Sequence, residues 1–171
     1  MLENFKNGYK VSKGNKIAQS ERGDCFVRAI ANAFEIDYTQ AHGFVKAKFN
    51  RRNRMGTKNT NSILKKLSRT VIRFESSGQL NLFDQNLKAF KIKHLGNAPK
   101  SGGKLINRKY KHKEVAYTVK AFSHKYKTGT HIILVHKHAL VIKDGVVIDN
   151  GDAKFDGYRR VVDSAYKVIA K

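Results

Sequence analysis

The chain has one cysteine, Cys25, among 171 residues, so it can form neither an internal disulfide nor a Cys-rich zinc site. Proline occurs once, at Pro99, and acidic residues are scarce, 13 against 35 lysines and arginines. No apolar run approaches the roughly 20 residues that a membrane-spanning helix needs. Met1 to Ser20 is studded with lysine and lacks an apolar signal core. There are no internal repeats and no motif of a sequence-reading nucleic-acid module. These absences exclude disulfide scaffolds, Cys-based zinc folds and helical membrane proteins, and they predict a soluble, intracellular protein not secreted by a signal peptide.

What is present is a 40% apolar composition, enough to fill one core, and a length that suits one domain over residues 1–171. The net charge of +22 attracts polyanions in a salt-dependent, sequence-independent way. Basic residues are spread along the chain, with dense stretches at Lys46 to Lys58 and Lys104 to Lys113. Lys46, Lys48, Arg51, Arg52, Arg54 and Lys58 are the candidates for nucleic-acid contact.

Met1 to Arg22 shows little periodicity and is expected to be an extended arm. From Asp24 the pattern changes: Phe26, Ala29, Ile30, Ala33 and Phe34 fall at helical spacing, with Asp24 as a natural N-cap. A second helix is predicted over about Thr39 to Phe49, burying Ala41, Phe44, Val45 and Phe49. Arg51 to Thr60 is a basic loop, after which Asn61 or Thr60 caps a helix carrying Ile63, Leu64 and Leu67. Val71 to Leu95 is ambiguous between strand and helix. Pro99 to Gly103 is expected to be a loop, and Val115 to Tyr126 a helix. The last third switches to β-rich runs, His131 to Ile142 and Val146 to Asp149, joined through Lys143-Asp144-Gly145, with a further strand over Val161 to Ile169. Asp-Gly between such runs is a strong hairpin signal. Helices followed by an antiparallel sheet make an α+β order.

Cys25 follows the cap, in the first turn of its helix, where the helix dipole and unpaired N–H groups favour the thiolate. Gly23 allows a tight entry and leaves the thiol accessible. A cysteine nucleophile needs a base. Of the seven histidines, His42, His94, His112 and His124 lie in helical or basic surroundings and are expected at the surface. In the hairpin, His136, His138, Leu140 and Ile142 share one face by strand alternation, and His131 points to the other. Folding the hairpin on a two-residue Asp144-Gly145 turn pairs Lys143 with Val146 and Leu140 with Asp149, and sets His138 opposite Gly151. Asp149 then becomes the diagonal same-face neighbour of His138, placed to fix its tautomer and stabilise its charged form. A three-residue loop would bring Asn150 opposite His138 instead.

A cysteine at a helix start, then a histidine at the head of a strand, then Asp or Asn on the next strand resembles the papain-like cysteine peptidases. Gln19, six residues before Cys25, matches the position of that family's oxyanion-hole glutamine. G-D-C-F-V-R-A-I-A-N-A-F with the His138-Ala139 to Asp144-Gly145 to Asp149 pattern resembles a group of small phage-encoded proteins of papain-like outline. The cysteine helix is also similar to that of ovarian-tumour-type deubiquitinases. The resemblance implies a papain-like fold, with N-terminal helices and the nucleophile helix packed on a C-terminal antiparallel sheet. It implies a thiol hydrolase acting on a protein or peptide, peptidase or isopeptidase, without metal or organic cofactor. Cys25 would be the nucleophile, His138 the base, Asp149 its orienter, and Gln19 with the Cys25 amide the oxyanion hole. The location implied is the host cytoplasm or the virion. An inactive papain-like fold serving as a nucleic-acid or host-protein binding module, and a thiol-dependent amide-forming transferase, are the alternatives.

Overall fold

The structure is a computed structural model and describes residues 5–74, 88–97, 117–149 and 159–170. In chain order it contains strand β1 (Phe5–Asn7), a 3-10 turn (Gly8–Ser12) and helices α1 (Lys16–Ser20), α2 (Cys25–Phe34), α3 (Tyr38–Phe49) and α4 (Thr60–Leu67). Strands β2 (Val71–Phe74) and β3 (Lys88–Asn97), helix α5 (Val119–Lys125) and strands β4 (Thr130–Val135), β5 (His138–Lys143), β6 (Val146–Asp149) and β7 (Val162–Ala170) follow. The strands form one sheet in the order β1-β6-β5-β4-β7-β3-β2, antiparallel except for the parallel β1–β6 pair.

Alternation along the strands divides the apolar residues between two layers. Ile132, Leu134, Ala139, Val141, Tyr166 and Val168 face the stripe of α2 together with α3 and α4. Ile133, Val135, Leu140, Ile142 and Val147 face the other way, under Val119 and Phe122 of α5. The molecule is therefore a mixed α/β sheet covered on both faces. The α2 stripe is buried over its whole length. Phe34 at its C-terminal end packs edge-on and tilted against Phe90 and Phe74, ring centroids 5.0 Å apart in both cases, contacts worth about 0.5–1.5 kcal/mol each beyond burial. Glu35 stops the helix in a left-handed conformation (φ 55°), its N–H bonded to the Ala31 carbonyl.

Several elements differ from expectation. The N-terminal segment is no extended arm from Phe5 onward: β1 pairs with β6, placing Asn7 beside Asp149, and α1 is capped by the Asn15 side chain. The run His131 to Ile142 is two strands, split by a tight turn at His136-Lys137 in which Lys137 has a φ of 55°. His136 therefore sits in a turn and not on the face of His138. The cap of α4 is Asn59, in a left-handed conformation, and not Thr60 or Asn61. Phe44 is only partly buried. The ambiguous stretch resolves into β2 and β3 at its two ends. Its centre, the Pro99 to Gly103 loop, the Lys104 to Lys113 basic stretch with His112, the start of the predicted Val115 helix, and Asn150 with Gly151 lie outside the described residues. Among the described residues no helix is long and apolar enough to cross a membrane.

Candidate active site

Cys25 opens α2, and Arg28 N–H makes the first bond of that helix, to the Asp24 carbonyl at 3.0 Å. The amides of Cys25, Phe26 and Val27 precede it, so the positive end of the helix lies at the sulfur. Asp24 occupies the N-cap position, yet its side chain does not cap. It is ion-paired to Arg28 at 3.0 Å and accepts a 2.7 Å hydrogen bond from the Tyr38 hydroxyl, all in buried surroundings. Burial, with the Asp24 carboxylate beside it, pushes the Tyr38 hydroxyl well above its ordinary range. The carboxylate expected to tie down the helix start instead joins α2 to α3.

The hairpin has the two-residue register, with Lys143 opposite Val146, Ile142 opposite Val147 and Val141 opposite Ile148. Continuing it carries Asp149 to His138, whose Nε2 lies 2.6 Å from Asp149 Oδ1, with the carboxylate only 1% exposed. The same imidazole is hydrogen-bonded to the Cys25 sulfur. Because Asp149 holds Nε2, the nitrogen left to face the sulfur is Nδ1.

The two groups shift each other. Burial raises the Cys25 thiol, but the hydrogen bond and charge of His138 and the N–H groups of Ala139 and Phe26 outweigh it, and the net shift is down from 9.0. Burial lowers His138, but the bonds to Asp149 and Cys25 and their charges outweigh it and push the imidazole up to about 9. The two shifts point to one state, thiolate beside imidazolium.

The loop from Glu21 to Asp24 is anchored from α3 and the turn after it. Arg51, with a fully buried side chain, bonds Glu21 Oε2 at 2.7 Å and the carbonyls of Arg22 (3.3 Å), Gly23 (3.4 Å) and Met55. His42 Nε2 lies 3.1 Å from Glu21 Oε1, and the Arg54 amide donates to Glu21 Oε2 at 2.8 Å. The Arg54 Nε–H donates to the Ser20 carbonyl at 3.1 Å. Burial raises Glu21, yet the Arg54 amide, His42 and Arg51 together hold it below the ordinary carboxylate value. Arg51 is therefore a buried clamp and not a surface contact for nucleic acid, because its guanidinium satisfies the carbonyls of the loop. Arg54 is exposed, but its Nε also serves the loop. Lys46, Lys48, Arg52 and Lys58 are exposed. His42, expected at the surface, is buried because it falls on the Tyr38, Ala41, Val45 and Phe49 stripe of α3. That stripe is the sequence signal that finds it.

Gly23 enters this loop at φ +62°, and a Cβ there would lie 3.2 Å from Gly56 N and 3.3 Å from Gly56 Cα. A left-handed non-glycine residue costs about 1–2 kcal/mol before any clash. Gly23→Ala should therefore lower the unfolding midpoint and slow alkylation of Cys25 by a neutral electrophile. If the labelling rate is unchanged, the loop does not set the position of the sulfur.

Gln19 is exposed in α1, its backbone N–H donating to the Asn15 backbone carbonyl at 3.2 Å. His94 and His124 lie elsewhere. His94 packs tilted against the Tyr166 ring, ring centroids 4.9 Å apart, and His124 is exposed on α5. Among the described residues no three His, Cys, Asp or Glu side chains group as a metal site. No family model, curated protein or solved structure matches the chain.

Proposed function

We propose that the chain is a thiol hydrolase of papain-like organisation, a peptidase or isopeptidase. The observation that carries this reading is the Cys25–His138–Asp149 chain of contacts at the start of α2. In the proposed reaction the Cys25 thiolate attacks a carbonyl carbon and forms a C–S bond. His138 gives its proton to the leaving amine as the C–N bond breaks, then takes a proton from the water that releases the acyl group. Asp149 holds the imidazole by Nε2 and so aims Nδ1 at the sulfur. The first-turn amides of α2 stabilise the oxyanion, with Gln19 as a second donor. The polar clamp around Glu21 supports the reading, since it immobilises the segment that delivers the nucleophile.

The pH profile of Cys25 alkylation by iodoacetamide tests the pair. Thiolate beside imidazolium exists between the lowered pKa of Cys25 and the raised pKa of His138 near 9. Labelling should already be fast below the ordinary thiol range and should rise again near pH 9, where His138 loses its proton and the thiolate is left unpaired. A single limb at the value of an ordinary cysteine would remove the basis for catalysis. Covalent capture of Cys25 by a peptidyl Michael acceptor, absent in Cys25→Ser, then separates a peptide-binding site from a merely acidic thiol.

The binding-module alternative at Lys46 to Lys58 loses its central member, because Arg51 is buried.

A further inference from the structure

Among the described residues, the carboxylates that precede Cys25 in its loop and the one that contacts His138 are internal. Glu21 has a side chain 3% exposed and is held by Arg51 and His42, Asp24 by Arg28 and Tyr38, and Asp149 by His138. Among the described residues, the exposed charges nearest Cys25 and His138 in sequence are of the other sign. Arg22 is exposed three positions before Cys25, and Lys137 is exposed directly before His138. Arg52 and Arg54 are exposed on the segment that Arg51 and Glu21 tie to the nucleophile loop. Successive Cα atoms are 3.8 Å apart, so chain connectivity alone keeps the Cα atoms of Arg22 and Lys137 within about 12 Å of those of Cys25 and His138 respectively. His136 is exposed beside Lys137, and the one exposed carboxylate there among the described residues, Asp163, faces it.

Resting on the hydrolase reading, we propose that this mouth takes a peptide carrying glutamate or aspartate side chains next to the bond attacked, with Arg22, Arg52 and Lys137 as the groups that recognise them. A thiolate paired with an imidazolium acts on an acyl carbon, which a phosphodiester backbone does not offer. The anion read by the rim is therefore carried on a peptide. Buried, paired carboxylates leave the field at the mouth to the exposed cations, and such a field concentrates anions and speeds their encounter.

Two alkylating reagents of nearly equal size test this without an identified substrate. Iodoacetamide is neutral and iodoacetate is an anion; both transfer their CH2 carbon to the thiolate as iodide leaves. The ratio of iodoacetate to iodoacetamide rates at Cys25 reports the charge of the mouth, and the iodoacetamide rate alone reports the thiolate. In Arg22→Ala/Arg52→Ala/Lys137→Ala the ratio should fall about fivefold at low ionic strength. In a control that removes as much charge elsewhere, Lys65→Ala/Lys66→Ala/Lys120→Ala, it should stay within about twofold of the parent. Raising salt from about 0.1 to 1 M, which shortens the Debye length from about 10 to 3 Å, should bring the parent ratio toward that of the rim variant. A ratio indifferent to salt and to the rim substitutions overturns the proposal, and so does an equal fall in the control. Slow iodoacetamide labelling of the parent overturns the hydrolase reading itself, and this proposal with it. Finally, a glutamate-rich peptide should shield Cys25 from iodoacetamide better than its glutamine counterpart. Shielding by an oligonucleotide and not by that peptide would assign the mouth to nucleic acid and overturn the proposal.

Discussion

His138→Ala is expected to slow the reaction of Cys25 with a neutral electrophile at pH 7 by at least about tenfold, and to lower any peptide hydrolysis by about a thousandfold or more. Two separate losses add up here. His138 is the strongest influence holding the thiol below 9.0, so without it burial acts unopposed by any side chain and the thiolate fraction at neutral pH drops. The alanine variant also has no group to protonate a leaving amine, a loss that alkylation does not register and hydrolysis does. Comparing the two rates therefore separates activation of the nucleophile from proton transfer. Asp149→Asn should fall between the parent and His138→Ala in both assays, because an amide can still bond Nε2 but cannot hold a charged imidazole as strongly. Unchanged alkylation in His138→Ala would sink the pair as a functional unit, however short the contact between His138 and Asp149.

Arg51→Met is expected to destabilise the fold by about 3–5 kcal/mol, the range for breaking one side of a buried ion pair. The side chain of Arg51 is fully buried and that of Glu21 is 3% exposed, so removing the guanidinium leaves a buried carboxylate with only His42 and the Arg54 amide and takes a donor from three loop carbonyls. For a chain of this size that corresponds to roughly a 10 °C fall in midpoint. Glu21→Gln should cost less, since an amide retains the bonds to Arg51 and to the Arg54 amide. Arg51→Lys should not rescue, because an ammonium cannot reach several acceptors spread around a planar fork. Chemical denaturation measures all three. A loss under about 1 kcal/mol for Arg51→Met would mean that the carbonyls find other donors and that the clamp is incidental.

The parts of this site that sequence makes visible are those governed by local rules. Asp144-Gly145 has backbone angles that few other residues tolerate, φ 50° and 76°, so turn type and register follow from two letters, and Asp149 follows from the register. The stripe from Phe26 to Phe34 foretells α2, but not that Val27, Arg28 and Ala31 off that stripe are buried as well. The split at His136-Lys137 carries no glycine or proline. A lysine at φ 55° is imposed by the strands on either side, and nothing in the letters marks it. The Glu21–Arg51 clamp is hidden for a different reason. Arginine and glutamate are mostly exposed, so a buried pair between distant segments has no local signature, and Arg51 passes for one more cation in a basic stretch. Asp24 illustrates a third case: its place before the helix is legible, but competition from Arg28 and Tyr38 decides where its oxygens point.

The proposed nucleophile and its base lie far apart in the chain, Cys25 in α2 and His138 in β5. Segments made first tend to fold first during synthesis, and contacts across such a span form late because loop closure precedes their reward. Until β5 and β6 join the sheet, Cys25 has the helix start but lacks His138, the side chain that lowers its thiol pKa. In the proposed hydrolase the activated thiol would therefore come with the completed sheet, since the contact between Cys25 and His138 joins α2 to β5.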